Sequence, residues 1–158
     1  MQVQDVISRG VATCHMGDTV LRAAEIMWNR DCGCVPIVDC DGRAFAMVTD
    51  RDVCMAAWTT GRHLGDIPVA VAQSHQLWFV RETDSLHAAM MLMRTHQVRR
   101  LPVLDAVDRP IGMLSMNDLI RHAGAGERRA EELDPERIVE VIAAIGASNR
   151  GLHESAAA

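Results

Sequence analysis

The sequence predicts a mixed α/β fold of the α+β kind: two tandem β-α-β-β-α repeats packed pseudo-symmetrically through their sheets, then a C-terminal helix. Three observations predict it. The chain contains itself twice, since Pro36 and Pro102, Thr49 and Ser115, and Asp52 and Asp118 are each 66 positions apart. One offset held from a helix to a polar turn marks an internal duplication. The apolar pattern follows the same shift, with Val20, Ala23, Ala24 and Met27 falling on Leu86, Ala89, Met90 and Met93. Finally, 158 residues leave each copy only about sixty, a length that is marginal alone, so the copies are expected to bury apolar faces against each other.

Each element can be justified in order. Val3 to Ile7 reads as a short helical lead-in, and Val11-Ala12-Thr13 as a short strand. Asp18 or Thr19 caps a helix to about Asn29, whose apolar residues recur at i, i+3, i+4 and i+7 until Gly33 breaks it. Val35 to Val38 is a short apolar strand in which Pro36 supplies no ladder amide. Asp39-Cys40-Asp41-Gly42 is a turn and Ala44 to Val48 the returning strand. Thr49 then caps a helix from Asp50 to about Thr59 with acidic residues in its first turn.

The second half repeats this order. Pro68 to Ala72 is a lead-in, Leu77 to Val80 a strand, and Leu86 to about Thr95 a helix capped by Asp84 or Ser85. Leu101 to Leu104 and Ile111 to Leu114 are strands joined by a turn, and Ser115 caps a helix to about His122. After Gly124 the pattern changes. Asp134-Pro135-Glu136 reads as a helix start, with Ile138, Val141, Ile142 and Ile145 as its apolar stripe and a loose tail from Arg150 to Ala158. The expected division is 1–62, 63–123 and 124–158.

Composition narrows function. Sixteen basic and 21 acidic residues give a net charge of −5, which argues against a general nucleic-acid binder. No apolar run is long enough for a membrane span, and the polar N-terminus does not read as a signal peptide. Aromatic content is 3%, with no tyrosine and ten methionines, so the core is aliphatic and Met-rich. The five cysteines (Cys14, Cys32, Cys34, Cys40, Cys54) read as reduced thiols, which points to the cytoplasm. Cys32 and Cys34 are separated by one residue and no second pair follows, so no metal site is expected. Trp28, Trp58 and Trp78 read as core or interface residues. No nucleophile signature or glycine-rich phosphate loop is present, so the chain is expected not to be an enzyme.

The chemistry concentrates at two strand-to-helix turns, Thr49-Asp50-Arg51-Asp52 and Ser115-Met116-Asn117-Asp118. A hydroxyl at the N-cap and a carboxylate three residues later face one first helical turn, where free N–H groups and the dipole favour an anion. A carboxylate there can also accept both hydroxyls of a ribose. The same spacing is a plain capping box, and on the residues alone both uses stand. A guanidinium from Arg51, Arg99 or Arg100 could meet a phosphate there, and Arg99 and Arg100 read equally well as solvated surface residues. The basic pair belongs to one copy only, because Gly33 and Cys34 occupy its place in the other.

These features resemble a pair of CBS domains, the module named after cystathionine β-synthase, in a stand-alone Bateman-type arrangement. The resemblance covers roughly residues 1 to 123. It rests on the strands Val35-Pro36-Ile37-Val38-Asp39 and Leu101-Pro102-Val103-Leu104-Asp105 and on the two turns. The family favours glycine three residues before the Thr or Ser; Gly112 keeps it and Ala46 departs from it.

The resemblance implies a regulatory module that binds adenosine nucleotides (AMP, ADP or ATP, with S-adenosylmethionine less favoured) in clefts between the repeats. Asp52 and Asp118 would hold ribose hydroxyls, and Thr49 and Ser115 the sugar or phosphate. Asn117 lies within the second turn. The base would sit near Val35-Pro36 or Leu101-Pro102. The module would form a homodimer, with Met55, Ala56, Ala57 and Met90 to Met93 as contact candidates, and would signal to an effector protein. The alternative is a structural dimerisation module with degenerate clefts. Gly112 and the Arg99-Arg100 pair make the second turn the stronger candidate site.

Overall fold

The computed structural model describes residues 1–74, 76–124 and 135–147. The described residues form five α-helices and two sheets, a mixed α/β architecture. The expected cap at Asp134 and the tail from Arg150 lie outside the described residues.

The chain divides into two compact units. The first comprises Met1–Arg9, Trp78–Val103 and the described chain from Gly112 onward; the second comprises Gly10–Leu77 and Leu104–Ile111.

In the second unit, β2 (Cys14–His15; β1, Ser8–Arg9, belongs to the first unit), β3 (Cys34–Val38) and β4 (Ala44–Thr49) form a sheet in the order β2-β3-β4. β3 is central and buried throughout, parallel to β2 and antiparallel to β4. The first strand was expected at 11–13 but forms at Cys14–His15, opposite Ile37 and Val38. The shift has a physical reason: Pro36, one residue earlier on β3, has no N–H to give that ladder. α1 (Val20–Arg30) buries Val20, Ala23, Ile26 and Met27, and it ends at Asp31, which adopts the left-handed conformation at φ 48°. α2 (Asp50–Thr60) follows β4 directly. Its Trp58 and α1's Trp28 are 77% and 87% exposed, so neither is a core residue.

β1 (Ser8–Arg9), β5 (Val80–Arg81), β6 (Arg100–Leu104) and β7 (Pro110–Ser115), all in the first unit except Leu104, Pro110 and Ile111, form a sheet in the order β1-β7-β6-β5. β5 is likewise shifted from the expected Leu77–Val80. α3 (Leu86–His96) buries Leu86, Ala89, Met90 and Met93. Met90 and Met93 are therefore core, and of the expected contact run only Met91 is well exposed. α4 (Met116–Gly124) follows β7, and α5 (Pro135–Ala147) packs on α3 and α4. α5 buries Ile138, Val141 and Ile145, while Ile142 is exposed. Trp78 is half-buried and stacks on His96, with ring centroids 3.3 Å apart.

The lead-ins are exchanged between the repeats. The N–H of Val20 donates to the Ile67 carbonyl at 2.8 Å, and that of Val69 to the Asp18 carbonyl at 2.9 Å. In the other unit the N–H of Leu86 donates to the Met1 carbonyl at 3.2 Å, and that of Val3 to the Asp84 carbonyl at 2.9 Å. Each pair is the other shifted by 66. Each helix is thus started by the lead-in that precedes the other repeat.

The hairpin turns show the same fidelity. Asp39 Oδ1 accepts from the N–H groups of Asp41 and Arg43 at 2.9 and 2.8 Å. Asp105 Oδ1 accepts from Val107 and Arg109 at the same two distances. Gly42 and Asp108 both take positive φ, 78° and 65°.

Candidate functional site

The Thr49 turn joins β4 to α2. Thr49 adopts extended backbone, and the first helical N–H groups beyond it lack intrahelical partners. Oδ2 of Asp52 accepts from the Thr49 N–H at 2.9 Å and from its hydroxyl at 2.6 Å, and Thr49 Oγ1 accepts from the Asp52 N–H at 3.3 Å. This is a complete capping box. Asp52 is half-buried, and among the described residues its Oδ1 accepts no hydrogen bond. Arg51 is exposed beside it. Val35 and Pro36 lie on the neighbouring strand opposite Val48 and Met47, and both are buried.

The Ser115 turn repeats the box. Oδ2 of Asp118 accepts from the Ser115 N–H at 2.8 Å and also from its hydroxyl, and Ser115 Oγ accepts from the Asp118 N–H at 3.2 Å. Here Oδ1 is taken as well: the Ser8 hydroxyl donates to it at 3.1 Å, and the Arg121 guanidinium donates to it too. Asp118 is 3% exposed, the only buried charged side chain among the described residues. Asn117, Arg99 and Arg100 are exposed, and Leu101 and Pro102 buried. No ion pair engages Arg51, Arg99 or Arg100 among the described residues.

The expected site residues thus fall into two groups, one in each compact unit. Thr49, Arg51, Asp52, Val35 and Pro36 belong to one; Arg99, Arg100, Leu101, Pro102, Ser115, Asn117 and Asp118 belong to the other. Capping accounts for Oδ2 in both turns, so any ligand role must use Oδ1. Ser8 and Arg121 were missed in the sequence. Ser8 lies 110 positions from Asp118, and only its 66-residue relation to Ser74 marks it.

The close approach at Gly112 is also made by protein. A Cβ there would lie 3.0 Å from the Ser8 carbonyl oxygen and 3.0 Å from Ile7 Cδ1. Among the described residues, no three His, Cys, Asp or Glu side chains come together as a metal would require. No helix among them is long and apolar enough to cross a membrane.

The family model for the CBS domain matches residues 3–58 and 65–125. The CBS domain-containing protein YhcV of Bacillus subtilis is 34% identical over 117 residues, 74% of this chain and 81% of its own. The crystal structure of Hypoxic Response Protein I with two coordinated zinc ions is similar at TM-score 0.69 and 28% identity, covering 77% of this chain and 98% of the other. The CBS domain pair of protein MJ0100, crystallised with 5′-methylthioadenosine and S-adenosyl-L-methionine, matches at TM-score 0.72 and 20% identity, with 80% and 98% covered. CBSX2 in complex with AMP matches at TM-score 0.69 and 21% identity, also with 80% and 98% covered. Two copies of one unit, each with a Pro-containing buried strand and a hydroxyl-carboxylate turn, place this chain in the CBS domain family.

Proposed function

We propose that the chain is a regulatory, non-enzymatic module that binds an adenosine-class ligand at its strand-to-helix turns and passes the occupancy to a partner protein. One observation carries this reading. At the Thr49 turn the capping box is satisfied through Oδ2, yet Oδ1 of Asp52 stays uncommitted and within reach of solvent beside Arg51. A ribose diol donates two hydrogen bonds to such a carboxylate, and a guanidinium beside a helix N-terminus suits a phosphate. The adenosine-class ligands of the MJ0100 and CBSX2 structures support the same class here. Arg99 and Arg100 offer a second phosphate-facing pair beside the Ser115 turn. Ligand signals outward only if it binds two states of the module unequally. The five free cysteines fit a reducing, cytoplasmic setting.

Calorimetry with AMP, ADP, ATP and S-adenosylmethionine tests the reading. Binding of at least one, weakened at least tenfold by Asp52→Ala, is the expected result. No heat and no shift in melting temperature with any of the four would sink it.

A second reading, a homodimerisation module whose turns take no ligand, is favoured by the exposed Trp28 and Trp58. Exposed aromatic side chains of this size suit a contact surface, with an apolar body and a polar N–H. Sedimentation of the wild type and of a Trp28→Ala/Trp58→Ala variant separates the two. A dimer lost in the variant, together with null calorimetry, would favour this reading.

A further inference from the structure

We propose that Ser8 and Arg121 decide which of the two turns takes ligand, by occupying the Asp118 carboxylate from within the chain. The inference deepens the adenosine-class reading above and rests on it.

The duplication supplies its own control. Both turns use Oδ2 for capping, and both carboxylates come from the same repeat position. They differ at Oδ1. Arg121 follows Asp118 by three residues, one turn along the same helical face, and its guanidinium donates to Oδ1. The residue 66 positions earlier is Met55, which has no donor to offer. Ser8 corresponds to Ser74, so the hydroxyl is present in both units, but it is used differently. The Ser8 hydroxyl donates to Asp118 Oδ1, whereas Ser74 Oγ accepts from the Met47 N–H at 3.0 Å. The turn with Met55 keeps an open oxygen, and the turn with Arg121 has none.

A ribose diol approaching Asp118 must therefore displace a charged donor and a hydroxyl, while at Asp52 it displaces neither. Arg121 is 69% exposed, so its guanidinium can return to water without being stranded in the interior. Ser8 is carried by β1, which pairs with β7 at Met113, and its exposed hydroxyl leaves Asp118 by a change of rotamer or by a shift of that strand. The Thr49 turn is then the constitutive site and the Ser115 turn a conditional one, opened by whatever draws Arg121 or the N-terminal strand away.

The test silences the first turn with Asp52→Ala and titrates adenosine into that variant, with and without Arg121→Met or Ser8→Ala. Adenosine is neutral, so deleting a positive charge does not by itself weaken its binding. Losing one charged donor should tighten adenosine on the order of tenfold, and losing the serine hydroxyl should tighten it less. Ser8→Ala keeps the ion pair and remains informative should Arg121→Met fold poorly. If adenosine binds the wild type but affinity is unchanged or weaker in both added variants, the latch is wrong and the ligand class stands. If adenosine binds neither the wild type nor any variant, the latch is wrong; the ligand reading falls with it only if AMP, ADP, ATP and S-adenosylmethionine are silent as well.

Discussion

Gly112 and Ser8 are in such close contact that a methyl group has no room between them. The two lie on paired strands, Arg9 opposite Gly112, and a Cβ at 112 would sit 3.0 Å from the Ser8 carbonyl oxygen. Backbone cannot yield as a flexible side chain can. Gly112→Ala is expected to destabilise by about 1–3 kcal/mol in chemical denaturation, by pushing the N-terminal strand outward. An unchanged midpoint would show that β1 is free to move.

The two aspartates should differ in their weight for stability. Asp118→Ala removes a buried carboxylate that accepts from the Ser115 N–H, the Ser8 and Ser115 hydroxyls and the Arg121 guanidinium, for a loss of about 2–3 kcal/mol. Asp52→Ala removes a half-exposed cap partner and should cost about 1 kcal/mol. Paired urea titrations measure both, and equal losses would contradict the inequality of the turns.

Cys14 should leave an alkaline signature. Burial first, and the Asp18 carboxylate next, push its thiol from the ordinary 9.0 up to about 12. The folded state then holds this proton when the unfolded state has already lost it. Stability is unaffected below about pH 9 and falls as pH rises from there, by up to about 1.4 kcal/mol per pH unit. Cys14→Ala should flatten that limb. In thiol labelling of the native protein, exposed Cys32, Cys40 and Cys54 should react while buried Cys14 and Cys34 stay protected.

Gln97 ends α3 in the left-handed conformation at φ 53°, where a side chain is strained. Gly61 does the same for α2 at φ 62° with no such penalty. Gln97→Gly is expected to raise stability by about 0.5–1 kcal/mol, read as a higher urea midpoint. A lower midpoint would mean that the Gln97 side chain holds something in place.

Much of this was legible because the duplication reports on itself. Positions related by 66 residues recover the same strand, the same Asp-anchored turn and the same capping box, so Asp39 with Asp105 and Asp52 with Asp118 were readable as pairs. The first strand of each repeat was misplaced by one to three residues, since strand ends depend on which partner amides exist and Pro36 and Pro102 remove one each. The ranking of the two turns drew on Gly112 and on Arg99-Arg100. What Gly112 accommodates is the Ser8 carbonyl, and what fills Asp118 Oδ1 is Ser8 with Arg121. A serine's rotamer and a contact across 110 residues leave no periodic trace. Trp28 and Trp58 illustrate the same limit: residue type suggested core or interface, and only the helix faces show that these two are not core.

The exchanged lead-ins separate the unit that was copied from the unit that is stable. A gene-level cut between the repeats would return each half with the wrong starter segment, as a zip fastener would be if each row of teeth kept the other's end stop. The first nine residues are, in mechanical terms, a handle on the distant second half. Whatever grips or pulls the N-terminus acts through β1 on the residue that fills Asp118, so chain order itself couples the front of this protein to its far turn.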